Sequence, residues 1–202
     1  MVAATLSRRV PADRVVGVLS LAVTLTIRPA TLADAAAVHA IYAHHVAHGT
    51  GTFEELAPTP EEMAARIAAV LDRALPYLVA EEDNAVLGFA YAGPFRLRSA
   101  YRYTAEDSVY VAPAAAGRGV GRALLTELVA ACEKAGLRQL IAVIGDSANA
   151  ASIGVHRACG FEHSGVAKGV GYKHGRFLDV VFMQRALNGG TTRPPDAAGM
   201  RL

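Results

Sequence analysis

Three glycines at alternate positions, Gly117, Gly119 and Gly121, stand between a short apolar run and an amphipathic one. A turn of this kind at a helix start bares main-chain N–H groups where the helix dipole favours an anion, and the missing Cβ atoms let a phosphate approach. Arg118 and Arg122 flank the glycines and add positive charge, unless they are simply solvated arginines. A P-loop needs Lys and then Ser or Thr after its last glycine, whereas Arg122 and Ala123 follow here; the spacing is also wrong for the G-x-G-x-x-G of a dinucleotide site. An ordinary glycine-rich strand-to-helix turn is the plain alternative. Glu106 and Asp107 are adjacent carboxylates that strand alternation sends to opposite faces. Arg96 and Arg98 carry planar forks that match a carboxylate. His44, His45 and His48 include a pair, His44 and His48, one helical turn apart, but no H-E-x-x-H pattern and no nearby acidic or Cys partner accompanies them, so a substrate-side or subunit-facing surface rather than a metal site is expected. Cys132 falls on an apolar helix face, Cys159 forms no C-x-x-C pair with it, and neither is placed as a nucleophile.

These residues need a scaffold, and the hydrophobic periods supply one. A strand is predicted over 108–112, ended by Pro113, and a helix over 122–135 with Leu124, Leu125, Leu128, Val129 and Cys132 on one face. Upstream, a strand spans 24–28, and Thr31 with Asp34 resembles a capping box for a helix to about 48. Thr59-Pro-Glu-Glu62 is a full capping box with Pro at the first helical position and starts a helix to about 74. Strands over 77–81 and 85–92 flank a hairpin signal at Asp83-Asn84. A buried strand over 137–144 leads to a short helix with Asn149 near its N-cap and Gly160 just past its end. Two late strands cover 162–167 and 179–185. The order is mixed α/β around one central sheet.

The segment Ala116-Gly-Arg-Gly-Val-Gly121 resembles the pyrophosphate loop [Q/R]-x-x-G-x-[G/A] of the GNAT N-acetyltransferases, with Ala116 where Gln or Arg is usual. The run from Asn149 to Phe161, an Asn, a short helix and a Gly-Phe pair, is similar to a second signature of that family. Ala90 to Tyr101, Thr104 to Val111 and Tyr172 to Asp179 look more narrowly like the phosphinothricin and methionine sulfoximine acetyltransferase group. The resemblance covers about 25–187, most of the chain.

That resemblance implies a mainly antiparallel sheet, flanked by helices, that splays at the cofactor strand. It implies an acetyl-CoA-dependent enzyme acetylating a small-molecule amine by direct transfer in a ternary complex. Val109, Tyr110 and Val111 would hold acetyl-CoA through the strand backbone; Gly117, Arg118, Gly119, Val120, Gly121 and Arg122 would take its phosphates, and Asn149 its pantetheine. Glu106, just before the cofactor strand, is the expected base for the incoming ammonium, and partial burial would raise its pKa toward working pH. A main-chain N–H near Tyr110 or Val111 would meet the oxyanion. His156, where many members have a Tyr near the thiol, or Tyr110 would protonate the thiolate. Arg96 and Arg98, with Ser99, Ala100 and Tyr101, would form the acceptor loop, and Phe53 and Tyr91 would wall the pocket. The acceptor would be an amino acid of the phosphinothricin, methionine sulfoximine or methionine sulfone type. A polyamine or a protein N-terminus is a second acceptor class, and a non-catalytic acyl-CoA sensor a different class altogether.

Composition sets the outer bounds. The chain has 202 residues, 52% of them apolar, enough for a sizeable core and far from disorder. A formal charge of +2, without clustered basic residues, gives no reason to expect nucleic acid. The apolar stretch 15–25 behind Arg8-Arg9 is too short to span a bilayer and lacks a small-x-small cleavage site, so 1–24 reads as an N-terminal extension rather than a signal or anchor. Two lone cysteines fit a reducing cytoplasm. Residues 188–202, rich in Gly, Thr and Pro, read as a disordered tail, and a homodimer is expected.

Overall fold

The first four strands alternate in polarity: the first returns antiparallel to the second after two helices, and the next two connections are short. The computed structural model describes residues 24–196 and 198–202; the expected extension lies almost wholly outside them. Its elements are β1 (Thr26–Pro29), α1 (Ala35–His48), α2 (Pro60–Leu71), β2 (Tyr77–Glu82), β3 (Ala85–Pro94), β4 (Thr104–Val111), α3 (Val120–Lys134), β5 (Gln139–Gly145), α4 (Ala150–Ala158), β6 (Glu162–Lys173) and β7 (Arg176–Ala186). They form a seven-stranded sheet in the order β1-β2-β3-β4-β5-β7-β6, flanked by helices. β4 and β5 pair in parallel, and the other pairings are antiparallel.

Local chemistry explains the element ends. Asp83 and Asn84 both take positive φ, 50° and 63°, as the tight β2–β3 turn requires. Thr59 and Glu62 cap α2 reciprocally, with bonds of 2.8 and 3.2 Å. α2 stops at Leu71, short of the expected 74, and Ala74 turns the chain with φ 55°. Thr31 and Asp34 form the expected box before α1, and Asp34 also takes the Arg28 guanidinium, which holds its pKa down to about 2.

Helices on each face bury separate cores. Leu124, Leu125, Leu128 and Cys132 of α3 pack with Ala90, Ala105 and Leu140. On the other face Val38, Ile41 and Val46 of α1 and Ile67 of α2 pack with Tyr77, Val79 and Phe89. The late strands run much longer than expected, joined at His174-Gly175 with φ 51° and 74°. The residues after Leu187 carry definite contacts: Arg138, 6% exposed, donates to the carbonyls of Gly190, Arg193 and Pro194, and Met200 N–H donates to Arg102 O. Among the described residues no helix is long and apolar enough to cross a membrane.

Candidate active site

Backbone parity creates the main cavity. Ala112 N–H donates to Leu87 O and Phe95 N–H to Thr104 O, so the even-numbered residues of β4 exchange main-chain bonds with β3. The odd-numbered ones turn toward β5, but that pairing ends at Asp107↔Ala142. Beyond it β4 stays with β3 as far as Val111, while β5 stays with β7 as far as Gly145. The strands part, each following its own antiparallel partner. Val109 and Val111 on one side and Val143 and Gly145 on the other turn their main chains toward the gap. The gap is a cleft of about 870 Å³, closed by the glycine turn and the start of α4. Its rim includes His45, which helix spacing sets with Val38, Ile41 and Tyr42. His45 Nε2 donates to the Val111 carbonyl at 2.8 Å, and burial lowers its pKa, so the ring is neutral.

The glycine turn is built for an anion. Gly117 and Gly119 have φ of 77° and 82°, the left-handed region that side chains resist. Gly119 is the N-cap of α3 without a side-chain cap bond, so the helix opens with bare N–H groups beside the cleft. Arg122 lines the cleft with Val120 and Gly121. Arg118 does not line it: its guanidinium is forked onto Glu82 at 2.8 and 2.7 Å. Asn149 caps α4 by accepting from Ser152 N–H at 3.2 Å, and it lines the same cleft.

A smaller pocket of about 270 Å³ adjoins the cleft and shares Gly51, Ser108, Tyr110, Val143 and Gly145 with it. Phe53, Tyr91 and Glu106 line it together with Tyr42 and Thr52, two residues that the sequence does not single out. Tyr42 Oη and Thr52 Oγ1 are hydrogen-bonded at 3.0 Å. Glu106 lies within β4 rather than before it, because the strand starts at Thr104, four residues ahead of the expected 108. Burial and the neighbouring charge of Asp107 raise the Glu106 pKa, and Arg96 opposes them. Tyr110, between the two cavities, has its phenol pushed well above its ordinary pKa by burial and stays protonated.

Asp107 points to the opposite face, as alternation requires. Its Oδ2 accepts from His156 Nε2 at 2.9 Å, while His156 Nδ1 lies 2.7 Å from Ser152 O. A carbonyl only accepts, so Nδ1 carries a proton, and both ring nitrogens are committed. Burial opposes the charged ring, yet the hydrogen bond and charge of Asp107 outweigh it and the His156 pKa is raised. The pair sits where β4 and β5 part, with side-chain exposures of 5% for His156 and 1% for Asp107, and among the described residues Asp107 Oδ1 has no hydrogen-bond partner.

The expected acceptor loop is not at either cavity. Arg96, Arg98, Ser99, Ala100 and Tyr101 lie in an exposed segment between β3 and β4, and none lines the cleft or the smaller pocket. Arg96 stacks over Phe95 at 4.3 Å and reaches Glu106 only through its charge. His44 and His48 lie 4.7 Å apart, and among the described residues no group of three ligand side chains could hold a metal.

Comparisons with known proteins agree with this geometry. Residues 40–161 match the profile of the acetyltransferase (GNAT) family. A phosphinothricin N-acetyltransferase of Alcaligenes faecalis is 58% identical over 171 residues, covering 85% of this chain and 87% of that protein. An L-methionine sulfoximine/L-methionine sulfone acetyltransferase of Salmonella typhimurium is 40% identical over 164 residues, covering 81% and 95%. The crystal structure of a phosphinothricin acetyltransferase from Sinorhizobium meliloti in complex with acetyl-CoA superposes with a TM-score of 0.84 at 47% identity, covering 87% of this chain and 95% of that one.

Proposed function

The chain belongs to the acetyltransferase (GNAT) family and is an acetyl-CoA-dependent N-acetyltransferase, and from that premise we propose that it acetylates the α-amine of a small amino-acid-like acceptor. The acceptor class is that of the relatives: phosphinothricin, methionine sulfoximine or methionine sulfone. The observation that carries the reading is Glu106, the one carboxylate lining a small pocket that opens onto the cofactor cleft through shared residues.

The residues present fit acetyl-CoA. The bare N–H groups before α3 suit its pyrophosphate, and the edge of β4 at Val109 and Val111, beyond the end of its pairing with β5, suits the amides of its pantetheine arm. Acetyl-CoA supplies the activated acetyl group when bound. Glu106 takes the proton of the incoming ammonium, directly or through a water, and its raised pKa improves it as a base near neutral pH. Tyr110 N–H is turned toward β3 by parity, so Val111 N–H is the better donor to the acetyl oxygen. His156 holds both its protons in bonds to Asp107 and Ser152, so the role of donor to the thiolate falls to Tyr110, which lines both cavities. Burial pushes the Cys132 thiol up to about 12, which supports direct transfer in a ternary complex without an acyl-cysteine.

One observation favours a second reading, an amine without a carboxylate such as a polyamine or a protein N-terminus: among the described residues no Arg or Lys lines the smaller pocket. The test is release of coenzyme A with a panel of phosphinothricin, methionine sulfone, its amide, spermidine and a short peptide. Preference for methionine sulfone over its amide supports the amino-acid reading, and equal use refutes it. No turnover of any amine would leave the acyl-CoA sensor. The reading includes a cytoplasmic location, supported by two free cysteines, and a homodimer. Val170, Tyr172 and Phe177 of the β6–β7 hairpin, 61%, 60% and 71% exposed, support the latter, and sedimentation at increasing concentration tests it.

A further inference from the structure

Phe53 walls the smaller pocket, and the position of its ring depends on what is missing beneath it. A Cβ built on Gly171 of β6 would lie 2.6 Å from Phe53 Cδ2 and 2.8 Å from Cζ, and nearer still to Cε2. One built on Gly145 of β5 would lie 2.9 Å from Phe53 Cε1 and would run into the Thr50 carbonyl. Non-bonded carbons sit at about 3.5–4.0 Å, so neither position has room for a methyl while the ring stays. Neither glycine has a positive φ, so conformation does not demand glycine there. Two further features fix the arrangement. The β6–β7 register breaks after Ala167 and resumes at Gly171↔Leu178, directly under the ring. Lys173, on the same face of β6 and 3% exposed, donates through Nζ to Thr52 O at 2.8 Å and ties down the segment that carries Phe53.

We propose that Gly171, with Gly145, is a specificity-determining residue: its bare backbone lets the Phe53 ring lie against the sheet and so sets the width of the acceptor pocket. The proposal rests on the reading that the smaller pocket takes the acceptor. A methyl at 171 drives the ring into a space of about 270 Å³, and an acceptor with a long side chain loses more than one with a short side chain.

The test compares Gly171→Ala with wild type, using methionine sulfone and L-alanine as acceptors. The kcat/KM for methionine sulfone should fall about 10–200-fold, the range for one methylene-sized change in a pocket, and that for alanine should fall less. The KM for acetyl-CoA should hold. Phe53→Ala should absorb the effect, so that Phe53→Ala/Gly171→Ala matches Phe53→Ala alone. An unchanged ratio of the two acceptors in Gly171→Ala, or the same loss on the Phe53→Ala background, overturns the proposal. A direct arm guards against misfolding. In wild type the Gly171 Hα resonances should be displaced upfield by the ring and return in Phe53→Ala, and undisplaced resonances would overturn the ring seat whatever the activity. If wild type acetylates no amino acid, the acceptor reading fails instead, and the same comparison is made with the amine that it does use.

Discussion

The buried Asp107–His156 pair predicts an asymmetry between its two halves. His156→Leu leaves a carboxylate whose side chain is 1% exposed, with Oδ1 already lacking a partner and Oδ2 now lacking one too. Removing one partner of a buried pair typically costs about 3–5 kcal/mol. For a chain of this length that is a fall in Tm of about 6–20 °C. Asp107→Asn is milder at alkaline pH. His156 becomes neutral, keeps Nδ1–H on Ser152 O, and accepts the new amide N–H at Nε2, for a loss of about 1 kcal/mol. The two variants also differ in pH dependence. The folded-state pKa of His156 is raised by Asp107, so the stability that the pair contributes is fully present below the unfolded value of about 6.5 and is lost as pH rises through the folded pKa. The Asp107→Asn penalty should therefore be largest in mild acid and shrink toward pH 9. Urea melts of wild type and both variants at several pH values measure this. Replacing both residues by apolar side chains should recover much of the His156→Leu loss. Equal penalties for the two single variants at neutral pH, or an Asp107→Asn penalty flat from pH 6 to 9, would refute the charged pair.

Three further outcomes are expected. Glu106→Gln should lower kcat by about 10²–10⁴ at neutral pH, with the loss shrinking at high pH where free amine is abundant; a wild-type pH profile in the variant would remove Glu106 as the base. Arg96→Ala removes the charge that opposes the raised Glu106 pKa, so the acidic limb of kcat/KM should move to higher pH, and an unmoved limb would show that the two do not interact. Gly119→Val forces a β-branched residue to φ 82° at the anion turn and should raise the acetyl-CoA KM at least about tenfold, whereas unchanged affinity in a folded variant would dissociate that turn from the cofactor.

Local signals carried most of the architecture. The Thr59 capping box, the Asp83-Asn84 turn and the apolar face of α3 each act within a few residues, and each is where periodicity and turn chemistry put it. The misses arise where one face of a strand is given to function. Glu106 and Asp107 made the start of β4 look like a loop, because one lines a pocket and the other pairs with a histidine 49 residues away. β6 outruns its expected 162–167 because Gly165, Gly169 and Gly171 break its pattern, and its outer face is solvent-exposed. Adjacency alone points Arg118 to the cofactor, while its guanidinium pairs with Glu82, 36 residues upstream. Resemblance alone points the 96–101 loop to the acceptor, and nothing in its own residues specifies where it packs.

The parity of β4 gives the enzyme a freedom that a side-chain-built cleft would lack. In the proposed reading odd-numbered residues would present peptide groups to the donor, and a peptide group is the same whatever residue carries it. Substitutions at 106, 108 and 110 would then rewrite the acceptor side while the donor's grip persists, and evolution could exchange amines without relearning the thioester. The same arrangement makes the strand intolerant of length change: one residue inserted between 104 and 106 would swap the two faces at once and turn the proposed base into the core.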